Sequence, residues 1–200
     1  MIQRTFRGDY FEGRFVAPLD PSGALQSKNP ANLIDPPISF PFCYDHVEEA
    51  IQSAKRGLAV WKRLPPQERF VFVQKYREVL ARYQEKLAHL DSHELGKPLW
   101  EARQEVSDCL SLIDHFLQLG SQTSLVTQVP EARPGLHGTI RHFPVGTLAV
   151  VSQSVLPLVS AHQYFIPALL NGNSVILKTT KYEIRQDDGV HSVDVQVDLY

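Results

Sequence analysis

Two hundred residues suit one domain, or one and a part, and a chain 43% hydrophobic and 21% charged has an ordinary globular balance. A net charge of −2, with no standout cluster of lysine and arginine, leaves no footprint for nucleic acid. No leader-like segment opens the chain and no apolar run approaches about 18 residues, so no membrane partner is expected and the location read is cytoplasmic. Prolines and glycines (Pro18, Pro21, Gly23, Pro30, Pro36, Pro37, Pro41) break up residues 1–44, leaving room for short strands at 10–16 and 24–27 and then an extended loop. Asp45 is a good helix start, with Glu48 as capping-box partner, and Val47, Ile51, Ala54 and Leu58 make one apolar stripe.

A second helix starts at Leu64-Pro65-Pro66 and buries Phe72, Tyr76, Val79, Leu80 and Tyr83. A third, over 84–94, stops at Gly96 and Pro98. The fourth, over 99–119, carries Val106, Leu110, Ile113 and Leu117 on one side and ends at Gly120. Residues 125–129 and 139–143 read as an antiparallel hairpin around a proline- and glycine-containing loop.

From Val145 the pattern changes. Leu148-Ala149-Val150-Val151 is a continuous apolar run, a helix follows over 157–170, and Ser174-Val175-Ile176-Leu177 is apolar again. Strand, helix and strand with unbroken apolar strands indicate a parallel βαβ unit buried on both faces. Residues 183–200 carry five acids against Arg185 alone, and Val193, Val195, Val197 and Leu199 alternate with polar residues, as in a strand with one wet face. Cys43 and Cys109 lack metal-ligand or redox spacing, and Cys109 falls on an apolar helix side as a buried small hydrophobe. His89 and His93 stand one helical turn apart, but with no third ligand evident they are read as solvent-facing, and no metal is expected.

Three separated segments carry a resemblance: Glu94-Leu95-Gly96-Lys97-Pro98-Leu99-Trp100-Glu101-Ala102 with Glu105-Val106, the run Gly146-Thr147-Leu148-Ala149-Val150-Val151 after Arg141–Pro144, and Ile166-Pro167-Ala168-Leu169-Leu170-Asn171-Gly172-Asn173-Ser174-Val175-Ile176-Leu177-Lys178. In that order they resemble the N-terminal portion of the aldehyde dehydrogenase superfamily, and the first is most like its succinylglutamate-semialdehyde dehydrogenase branch. The resemblance, which runs from about Phe11 to Tyr182, implies an α/β fold: a loop-rich segment (1–44), a helical layer (45–120), an oligomerisation-type hairpin (121–144) and an incomplete NAD(P)-binding βαβ unit (145–182); the acidic tail strand (183–200) lies beyond it.

It also implies a cofactor site. Lys178 matches the lysine that reaches the adenosine ribose of NAD(P), and the turn of Ser152, Gln153, Ser154 and Val155 matches the turn after the first parallel strand. Two departures stand out. Thr179, Thr180 and Lys181 replace the usual proline, hydroxyl residue and glutamate, which weakens the case for NAD and leaves open a preference for an extra phosphate. Val155 stands where the family has an oxyanion-donating asparagine, with Gln153 or Ser154 as substitutes only in a shifted turn.

In the family, the catalytic cysteine, the general-base glutamate and the glycine turn over the pyrophosphate follow the lysine, and nothing after Tyr182 resembles them. Cys43 has no basic neighbour to activate it. No catalytic residue is therefore assigned. The expectation is a front portion of an aldehyde-oxidising enzyme, catalytically incomplete alone. The alternatives are a module pairing with itself or with a related full-length chain, and an enzyme portion completed by another chain.

Overall fold

The computed structural model describes residues 7–122, 126–130, 133, 135 and 137–179. The acidic tail expected over 183–200 lies outside them. The chain opens with two antiparallel pairs. Strands β1 (Asp9–Phe11) and β2 (Arg14–Val16) form a hairpin, where one strand was expected over 10–16. Glu12 and Gly13 both take positive φ, 55° and 72°, the conformation that a two-residue hairpin turn requires. Strands β3 (Gly23–Ser27) and β4 (Ile38–Phe42) form the second pair, and β4 occupies sequence expected to be loop.

Four helices follow: α1 (Asp45–Trp61), α2 (Pro66–Arg82), α3 (Gln84–Leu95) and α4 (Leu99–Gln122). The capping box expected at Asp45 is not formed. Tyr44 is the N-cap without a side-chain bond, Asp45 is already helical, and Glu48 instead accepts from Gln52 Nε2 at 2.6 Å. Asp45 and Glu48 still place negative charge at the positive end of the helix. Val47, expected in the apolar stripe, is exposed, while Trp61 at the far end is 2% exposed.

On α2 Leu80 is buried and Tyr76 and Tyr83 pack against the core as expected, but Phe72 is 38% exposed. Val73 is buried, and Phe72 turns its ring edge toward Trp61, with centroids 5.6 Å apart. Helix α3 ends at Gly96, whose φ of 69° is left-handed. Helix α4 runs past Gly120 instead of ending there. That glycine leaves space for Phe70, since a Cβ would come within 2.4 Å of the ring.

Strands β5 (Val126–Val129) and β6 (Gly138–Arg141) pair antiparallel as the expected hairpin, exposed nearly throughout. Strand β7 (Thr147–Val151), helix α5 (Pro157–Leu170) and strand β8 (Ser174–Lys178) make the expected unit, with β7 and β8 parallel. Burial on both strand faces does not hold among the described residues: Val150 is buried while its neighbours Ala149 and Val151 are exposed. The pair is a sheet with uncovered apolar surface.

Helix α5 is the centre of the molecule. It packs against α2 and α4 and against β7 and β8, and Phe165 and Ile166 are fully buried in a core shared with Leu80, Ile113 and Val150. Its C-terminus closes with the N–H of Asn173 on Ala168 O (3.0 Å) and that of Gly172 on Leu169 O (2.9 Å), around Gly172 at φ 81°. Trp61 Nε1 donates to Leu169 O at 2.9 Å, and the buried Arg69 donates to Leu170 O and Leu64 O at 3.1 and 2.8 Å. Carbonyls that a helix end leaves unpaired thus find partners inside the core.

Candidate functional site: the carboxyl edge of the parallel pair

Parallel strands place ligands in the crevice beyond their carboxyl ends. In the parallel register Val151 stands opposite Lys178, so the turn that follows β7 and the end of β8 lie side by side. The backbone closes this junction, with Ser152 N–H donating to Lys178 O at 3.0 Å. The Lys178 side chain is exposed.

The four turn residues divide into a buried anchor and an exposed arch. Ser152 is buried, its Oγ 3.1 Å from Ser160 Oγ and donating to Pro157 O at 3.1 Å. Gln153 N–H donates to Ser160 Oγ at 3.3 Å, while its side chain and that of Ser154 are exposed. Val155 is 73% exposed and offers an apolar surface without a donor. The structure sets Ser152 against the Lys178 backbone, and Gln153 and Val155 follow Ser152 along the same turn.

A buried charge cluster beneath this turn was missed. Glu105 of α4 is 2% exposed. Its Oε1 accepts from Leu158 N–H at 2.8 Å and Val159 N–H at 3.4 Å, in the first turn of α5, and its Oε2 accepts from Lys97 Nζ. Lys97 Nζ also lies 2.6 Å from Asp91 Oδ2. Burial pushes the Asp91 carboxyl up to about 7, opposed by Lys97 and reinforced by the Glu105 charge. The signal was a glutamate inside the apolar stripe of α4, one turn from Ala102 and Cys109, both buried. A buried carboxylate requires paired charges or several donors.

Neither cysteine is set up as a nucleophile. Burial, and then the Glu105 charge, raise the Cys109 thiol well above its ordinary value, and a thiol rather than a thiolate is poorly reactive. Cys43 is half-buried. His93 Nε2 lies 3.5 Å from Asp35 Oδ2, and no group of three or more metal-ligating side chains occurs among the described residues. No described helix is long and apolar enough to cross a membrane.

The family model for the aldehyde dehydrogenase family matches residues 42–183. N-succinylglutamate 5-semialdehyde dehydrogenases of Hahella chejuensis and Burkholderia thailandensis are 31% and 33% identical over 137 residues, which is 68% of this chain and 28% of theirs. A crystal structure of an E. coli NADP-dependent enzyme superposes with a TM-score of 0.77 at 26% identity, over 86% of this chain and 35% of that one. The chain spans roughly a third or less of the length of these relatives. With the family model covering the helical layer, the hairpin and the parallel unit, the chain belongs to the aldehyde dehydrogenase family.

Proposed function

We propose that these 200 residues supply the cofactor side of an NAD(P)-dependent aldehyde-oxidising cleft and do not oxidise an aldehyde by themselves. The observation that carries this reading is the junction of Lys178 with the Ser152–Val155 turn at the carboxyl edge of the parallel pair. The exposed ammonium of Lys178 suits ribose hydroxyls, and the exposed arch of Gln153 and Ser154 offers polar groups beside it. The first-turn donors of α5 at Leu158 and Val159 are already taken by Glu105, so that helix end is not available to a cofactor phosphate. NAD(P)+, when bound, supplies the hydride acceptor.

Two further features concern chemistry and specificity. The Val155 side chain has no group to donate to a developing oxyanion, a loss worth about 10²–10³ in rate where one such donor has been removed. Lys181, in place of the family's ribose-binding acid, favours the extra phosphate of NADP+ over NAD+. The likeness to the N-succinylglutamate 5-semialdehyde dehydrogenases makes an N-acylated amino-acid semialdehyde of that kind the substrate class of the complete catalytic unit. The test is turnover of that aldehyde by the purified chain with NAD+ or NADP+. No reduced cofactor forms if the reading is right, and formation at an appreciable rate contradicts it.

A second reading, a self-association module, is favoured by one observation. One face of the β5–β6 hairpin carries Thr127, Val129 and Ile140, with Val129 and Ile140 41% and 51% exposed.

A further inference from the structure

We propose that Glu105 is a positioning residue for the cofactor-side turn, holding α5 and residues 152–156 in place through a carboxylate that acts as an internal anion on the helix. This deepens the reading just given and rests on it for its functional meaning. The contacts form one continuous path. Lys97 holds Glu105 Oε2, and Glu105 Oε1 accepts from Leu158 and Val159 in the first turn of α5. Ser160, one residue on, has its Oγ against Ser152 Oγ and accepts from Gln153 N–H. Ser152 N–H then binds the Lys178 carbonyl, at the edge where the cofactor ribose is placed.

The chemistry explains why a carboxylate is needed. The first turn of a helix presents unpaired N–H groups and partial positive charge. Leu156 caps α5 without a side-chain hydrogen bond, so the sequence before the helix provides no local cap. The cap comes instead from Glu105, 53 residues earlier. A charged acceptor there forms stronger bonds than a neutral amide could, and Lys97 balances it so that the buried charge is tolerated. Asp91 is the third member, on the other side of Lys97. The arrangement fixes one rotamer of Glu105 and with it one position of the arch.

The test is the Glu105→Gln variant of the 200-residue chain, which keeps size and an acceptor but loses the charge, read by backbone amide NMR. The expected result is displacement of the Leu158 and Val159 signals and, with them, those of residues 152–156 and Lys178, while the β1–β2 hairpin stays in place. Movement of Leu158 and Val159 alone would reduce Glu105 to a local cap and overturn the proposal, as would no movement at all. If Glu105→Gln does not fold, Glu105→Ala titrated with formate is the second measurement. Saturable recovery of the melting temperature, absent in the wild type, is expected, and no recovery overturns the proposal. Cofactor titration of the wild type is a separate readout: its failure would remove the cofactor reading while leaving the displacement of residues 152–156 to stand or fall by itself.

Discussion

At the residue scale, burial decides which charged groups matter. Asp91 and His162 are shifted by the same cause in opposite directions, and they leave opposite marks on stability. With its carboxyl up to about 7, folded Asp91 keeps a proton that the unfolded chain has released above about pH 4, so its contribution is full below that value and lost as pH rises through 7. His162 is fully buried, and desolvation pushes it down to about 4 despite a helping hydrogen bond to Leu158 O at 2.6 Å. Its Nδ1–H donates to that carbonyl and its Nε2 accepts from Tyr76 at 2.8 Å, an arrangement of the neutral ring. Its contribution is therefore full above about pH 6.5 and lost as pH falls through 4. Asp91→Asn removes only the first effect. Its melting temperature relative to wild type should rise as pH goes from about 5 to about 8, and a constant difference across that range would contradict the assignment.

The same scale shows what the sequence could reveal about the site. The placement of Lys178 at the end of β8 and of residues 152–155 in the turn after β7 was legible because the apolar runs around them keep their register. Glu105 sat in full view within the first of the three segments, but its link to α5 was not legible, because its partners there are two backbone amides, which carry no side-chain signal. Phe72 and Val73 are both apolar and adjacent, so periodicity alone could not decide which one faces the core. The structure gives the core to Val73 and sends Phe72 toward Trp61.

At the element scale, helix ends and strand edges decided where expectation held. Helix α5 was legible at both ends: Pro157 is tolerated in a first turn, and Gly172 supplies the left-handed residue that closes the last. Strand β4 was hidden by Pro41 within it and by Pro36 and Pro37 just before it. In a two-stranded pair each strand has an outward edge, where a missing N–H such as that of Pro41 need not break the ladder. Gly172 is also sterically enclosed, since a Cβ would lie 3.0 Å from Arg69 Nη1 and 3.1 Å from Pro144 Cγ. Gly172→Ala should therefore lose at least the left-handed strain of about 1–2 kcal/mol in denaturant unfolding, and a change within error of zero would contradict the closure described here.

At the scale of the whole molecule, one core ties the helical layer to the parallel unit through α5, while apolar surface stays open on the other side. Val145 and Val151 are 92% and 70% exposed, and the hairpin adds Val129 and Ile140. Under the self-association reading, the hairpin face is where copies of the chain meet. Light scattering of the purified chain should show association that the Val129→Lys, Ile140→Lys double variant weakens. A monomer at every concentration tested, or association indifferent to the two lysines, would contradict a hairpin contact.

On the proposed reading, a cofactor-side cleft lies where Lys178 meets the turn after β7. Calorimetric titration of the folded 200-residue chain with NADP+ and NAD+, repeated with Lys178→Ala, tests it most directly. Saturable heat is expected, with NADP+ bound more tightly than NAD+, and loss of about tenfold or more in affinity without the lysine, the equivalent of one charge-assisted contact of about 1.4 kcal/mol. No heat with either nucleotide, or binding unchanged in Lys178→Ala, would contradict it.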